Sequence, residues 1–139
     1  MKNVYEVFEE FEKAESRKDK IAVLHKNKRQ TLLNVLQGAF HPKINYVIKE
    51  RVEFKPSDSP PGMGYANLDT EFRRVYLFVE GAKSVDPNLS MERRKLLLIQ
   101  ILESLEAKEA EVFMNMILKN LKVKGLTAKI VEEAFPGLI

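Results

Sequence analysis

Apolar residues recur along this chain at helical spacing, and short connections separate the periodic stretches. Val4, Val7, Phe8 and Phe11 stand at i, i+3, i+4 and i+7, the stripe of one amphipathic helix. Ser16 is placed to cap a second, short helix that carries Ile21 and Leu24. A third helix is predicted from about Thr31 to Phe40, with Leu32, Leu33, Val35, Leu36 and Phe40 inward. His41-Pro42 stops it, because proline disfavours the α conformation in its predecessor. Ile44 to Ile48 is rich in β-formers but too isolated to build a sheet, and reads as extended chain or a helical turn. Lys55 to Asn67, with Pro56, Pro60, Pro61, Gly62 and Gly64, reads as a loop.

The second half repeats the pattern. A fourth helix is predicted from about Asp69 to Lys83, burying Phe72, Val75, Tyr76 and Val79, and Asp86-Pro87-Asn88 breaks the chain after it. Ser90 caps a helix that runs to about Leu105. Ala107 to Asn120 follows, with Ala110, Phe113, Met114, Ile117 and Leu118 on one face, and a last helix from about Thr127 to Phe135 ends at Pro136-Gly137. The reading is an all-α, compact multi-helix single domain over residues 1–139, with at least six helices and no sheet beyond a short ribbon near Ile44 to Phe54. Its expected core is Phe8, Phe11, Leu33, Leu36, Phe72, Val75, Phe113, Ile117, Ile130 and Val131.

Composition narrows the chemistry. The 139 residues hold no cysteine and no tryptophan, which removes disulfides, thiolate zinc sites and cysteine nucleophiles. No apolar run approaches the length of a membrane span, and the first residues lack an apolar signal region, so a cytoplasmic protein is expected. There is no GxxxxGK[ST] loop, no GxGxxG and no HExxH. His25 and His41 stand far apart without a carboxylate arrangement suited to a metal. Glu132 and Glu133, like Glu9 and Glu10, are adjacent on helices and so point in different directions. The expectation is a protein that is not an enzyme and needs no cofactor or metal.

Charge is segregated. The net charge is only +3, yet Glu6, Glu9, Glu10 and Glu12 make the first helix acidic, with Lys2 taken as a bystander within it. Basic residues gather from Arg17 to Arg29, and no acidic residue occurs between Val112 and Val131. In that stretch Lys119, Lys122, Lys124 and Lys129 surround Gly125 and the start of a helix at Thr127. Free amides at a helix start, a glycine without Cβ and mobile lysines suit a phosphate oxygen. Lysines that merely complement the end of the preceding helix give the plainer reading.

Leu118-Lys119-Asn120-Leu121, Gly125 and Ala134-Phe135-Pro136-Gly137-Leu138-Ile139, with Ser16 to Lys28, Leu32-Leu33 and Tyr46-Val47-Ile48-Lys49 earlier, are similar to the N-terminal DNA-binding domain of the ATP-dependent DNA ligases of T-even-type bacteriophages. Residues 51–89 align only loosely. The resemblance implies an all-helical module that grips duplex or nicked DNA through its sugar–phosphate backbone in DNA replication, repair or recombination. It places Lys119, Lys122, Lys124, Gly125, Thr127 and Lys129 on the backbone-contacting element, and implies the cytoplasm of an infected host cell for a phage-encoded chain. A KxDG adenylation motif is absent: Lys122-Val123-Lys124-Gly125 has lysine where aspartate is needed. Ligase activity is therefore not expected; the chain reads as either a stand-alone paralogue of the domain or a fragment of a longer protein, with Met1 favouring the first. The alternative is a protein-interaction module on the same fold that binds a sliding clamp, a host protein or a virion component, with the loop around Met63 and Tyr65 as its candidate contact.

Overall fold

The structure is a computed structural model and describes residues 2–55, 57, 66–83 and 85–139. Among the described residues seven α-helices follow one another: α1 (Val4–Lys13), α2 (Arg17–Lys26), α3 (Gln30–Phe40), α4 (Leu68–Glu71), α5 (Met91–Ser104), α6 (Ala107–Ile117) and α7 (Ala128–Ala134), with a 3-10 run from Phe72 to Phe78 directly after α4. Among the described residues there is no strand; the pairings are an antiparallel bridge between Tyr46 and Val79 and a parallel one between Ser57 and Glu106. None of the described helices is long and apolar enough to cross a membrane. Met63 and Tyr65, the candidate contact of the proline-rich loop, lie outside the described residues.

Helix starts follow local chemistry. Ser16 Oγ accepts the Asp19 amide at 3.1 Å, and Ser90 Oγ accepts that of Arg93 at 3.1 Å. Each satisfies an amide that has no partner within its own helix. Helix α6 forms the centre and packs on α1, α3 and α5, while α2 packs on α1 and α7. Every residue of α6 from Val112 to Ile117 is buried. A helix apolar on nearly all sides must be covered on all sides, which is why three others surround it. Phe113 is its hub, meeting the rings of Phe72 and Phe78 edge-on at 6.2 and 6.5 Å.

Two elements differ from the periodicity reading. The helix expected from Asp69 to Lys83 is one α turn followed by the 3-10 run, which ends at Phe78. With three residues per turn, Phe72, Val75 and Phe78 align. Phe78 is therefore fully buried, Phe72 and Val75 are half-buried, and Tyr76, expected inward, is 41% exposed. Helix α6 stops at Ile117 rather than near Asn120, because Lys119 turns into the left-handed region at φ 61°. In the expected core Leu33 is also half-buried: α3 turns Leu32, Val35, Leu36 and Ala39 inward instead.

Candidate nucleic-acid interface

Between the end of α6 and the start of α7 the chain runs through a tight, lysine-rich connection. Lys119 and Lys122 both adopt positive φ, 61° and 56°, a conformation that is uncommon outside glycine. Gly125 does the same at φ 84°. Lys122, Lys124, Gly125, Thr127 and Lys129 are all exposed. Three lysines thus stand at the surface within eight residues of chain.

Lys119 is placed differently. Its Nζ donates to the carbonyls of His41 and Ile44, each at 2.6 Å, and the side chain is half-buried. Burial, with repulsion from Lys49 second, pulls its pKa below the ordinary lysine value. This ammonium ties the end of α6 to the chain that leaves α3. It is the one lysine of the expected set turned into the fold, and periodicity carries no sign of that.

The other expected features have structural partners of their own. The Lys124 amide donates to Glu12 Oε2 at 3.0 Å, so an acidic side chain of α1 reaches this turn. A Cβ on Gly125 would lie 3.6 Å from Lys20 Nζ, and Lys20 itself donates to the Phe11 carbonyl at 3.0 Å over the Phe11 ring. Glycine is needed here for its positive φ, and the open side of the backbone faces Lys20. Thr127 Oγ1 accepts the Ile130 amide at 3.3 Å and so caps the seven-residue α7.

Lys20 therefore stands beside Gly125, and Lys122, Lys124 and Lys129 are exposed on the chain that flanks it. Lys20 joins from a position more than a hundred residues away in sequence. Eight ion pairs occur among the described residues, and none involves these four ammonium groups.

The acidic first helix is also partly spoken for. Lys2 precedes α1 rather than lying within it, and its Nζ meets Glu10 at 2.8 Å. Hydrogen bonds from Lys2 and Asn27 hold the Glu10 carboxyl down at about 2. Glu9 pairs with Lys108, Glu111 with Arg51, and Glu133 with Arg17. The histidines serve the fold: His25 Nε2 lies 2.7 Å from the Ala134 carbonyl, and His41 Nδ1 accepts the Lys43 amide at 3.1 Å. Among the described residues no three His, Asp or Glu side chains are placed to hold a metal ion.

An apolar groove of about 290 Å³ lies between α1, α6 and the chain after it, lined by Tyr5, Phe8, Val112, Leu121 and Val123, with Glu9, Glu12 and Glu111 among its polar members. It shares Glu12 with the lysine turn.

A search of curated proteins finds no match to this chain. A family model matches residues 7–123, a span that includes Lys119 and Lys122 and ends just before Lys124, Gly125, Thr127 and Lys129. By that match over most of its length, the chain belongs to the family of unknown function DUF6433.

Proposed function

We propose that this protein is a non-catalytic, sequence-independent binder of duplex or nicked DNA that holds the sugar–phosphate backbone with the lysines of the α6–α7 connection and the first turn of α7. The observation that carries the reading is the set of exposed ammonium groups of Lys122, Lys124 and Lys129, free of ion pairs, with Lys20 beside Gly125. Exposed cations without ion-pair partners, close together in sequence, favour a polyanion, and phosphate contacts carry no base information. The resemblance to the DNA-binding domain of phage DNA ligases supports the same reading and suggests work in replication, repair or recombination in the cytoplasm of an infected cell. Thr127 already caps α7 and Lys119 is engaged by two carbonyls, so the contact rests on side chains of the other lysines.

Fluorescence anisotropy with nicked and intact duplexes of unrelated sequence tests this. The expected result is binding at low salt with nearly equal affinity for every sequence. Absence of binding at low salt would overturn it. That result would favour the second reading, a protein-interaction module for a sliding clamp, host protein or virion component. The apolar groove between α1 and α6 is the feature that supports this alternative.

A further inference from the structure

A second cationic feature lies at the other end of α2. Lys2, Lys26, Asn27, Lys28 and Arg29 line a cleft of about 180 Å³. At about 30 Å³ per water in the liquid, that volume has room for a phosphate group and some of its water.

Cations at the end of α2 complement its dipole, and Lys26 and Lys28 need no other explanation. Lys2 does. It arrives from the N-terminal segment, which Arg29 fastens over the α2–α3 corner by donating from Nη2 to the Lys2 carbonyl at 3.2 Å. Two carboxylates pair with its lining side chains but do not themselves line it. Glu10 pairs with Lys2 at 2.8 Å and Lys26 at 3.4 Å, and accepts from Asn27 Nδ2 at 3.1 Å; Asp69 pairs with Arg29 at 3.0 Å. Four cations against two anions leave an excess of two positive charges, and the ammonium of Lys28 makes no ion pair. The acidic groups fix three of the four cations in place and neutralise the set only in part.

We infer that this cleft binds a phosphate group and, resting on the function proposed above, that the group is a second phosphodiester of the same duplex. One helix, α2, carries a residue of each cluster. Lys20 at the Gly125 turn and Lys26 at the cleft are six residues apart on α2, a rise of about 9 Å. Along a duplex axis each nucleotide step rises about 3.4 Å, so both clusters fall within the reach of one short stretch of duplex.

The test uses the full chain in two arms. In the first, salt titrations of duplex binding compare wild type with Lys2→Ala, Lys26→Ala and Lys28→Ala, with Lys95→Ala on α5 as control. In the second, amide chemical shifts are followed while inorganic phosphate is added at constant ionic strength. Each cleft variant whose cation meets a phosphate should flatten the log–log salt slope by about 0.9, and the control should leave it unchanged. The Asn27 and Lys28 amides should shift saturably with phosphate. Where duplex binds, unchanged slopes in all three cleft variants overturn the cleft and leave the proposed function standing. Where duplex does not bind, that function falls and the phosphate titration decides: saturable shifts support an anion site, and their absence overturns it. Lys28→Ala removes no intramolecular contact of the ammonium, so a folding defect does not obscure the result.

Discussion

The carboxylate of Glu12 accepts the backbone amide of Lys124 at 3.0 Å, which brings a negative group to the turn where the free lysines gather. In α1 this residue belongs to an acidic face, and its reach to a position 112 residues later sets the electrostatic strength of the turn. Glu12→Gln keeps an oxygen acceptor for that amide and removes the charge. Duplex affinity at low salt should rise several-fold, by about 1 kcal/mol, with the thermal midpoint nearly unchanged. Anisotropy and a melting curve on the same sample check both halves.

Lys119 separates fold from function. Lys119→Met leaves the carbonyls of His41 and Ile44 without their shared donor and should cost roughly 2–3 kcal/mol of stability. Below its melting temperature the variant should bind duplex like wild type, because this ammonium is turned inward. Denaturant unfolding measures the loss; a matching drop in affinity of the folded variant would return Lys119 to the contact set.

Packing around α6 sets the scale for the core. Truncating fully buried Phe113 to Ala should cost roughly 3–5 kcal/mol. Gly38→Ala should be harmful for the opposite reason. A Cβ there would lie 2.7 Å from the Tyr46 hydroxyl oxygen, which donates to the Gly38 carbonyl, and 2.8 Å from Met116 Sδ. Overpacking of this kind costs about 1–3 kcal/mol. Urea unfolding of the two variants provides the comparison.

Glu109 gives the fold a pH signature. It is buried in α6 with Oε2 unpaired, and burial, then the neighbouring Glu106 carboxylate, pushes its pKa up. A carboxyl raised on folding favours the native state most while protonated. Its contribution is therefore full below the ordinary glutamate value of about 4.3 and is lost as pH rises through the folded value. Glu109→Gln should raise the melting temperature at neutral pH, by roughly 1 kcal/mol of stability, and much less at pH 4. Melting curves across that range check the sign; a variant less stable at pH 7 than at pH 4, relative to wild type, contradicts it.

Much of the fold is legible in residue order because its determinants are local. Val4, Val7, Phe8 and Phe11 mark α1, Ser16 and Ser90 mark two helix starts, and all of these stand where periodicity and capping place them. The 3-10 run is hidden because periods of 3.0 and 3.6 stay close over the first turn, where Phe72 and Val75 fit both, and diverge by its second turn, where Tyr76 and Phe78 exchange roles. Lys119 and Lys122 at positive φ have no compositional mark. At the candidate site the exposure of Lys122, Lys124 and Lys129 follows from their polarity. The inward turn of Lys119, Glu12 at Lys124 and Lys20 at Gly125 depend on tertiary partners that no spacing rule reaches.

The central claim, a DNA backbone held by the free lysines of the α6–α7 connection and the first turn of α7, is tested most directly by the salt slope of duplex binding in wild type and in Lys122→Ala, Lys124→Ala and Lys129→Ala. Each phosphate neutralised contributes roughly −0.9 to the slope of log affinity against log salt. If these three lysines each meet a phosphate, every single variant should flatten the slope by about 0.9 and weaken all sequences alike. A wild-type slope near zero, or three variants whose slopes match wild type, would contradict the account.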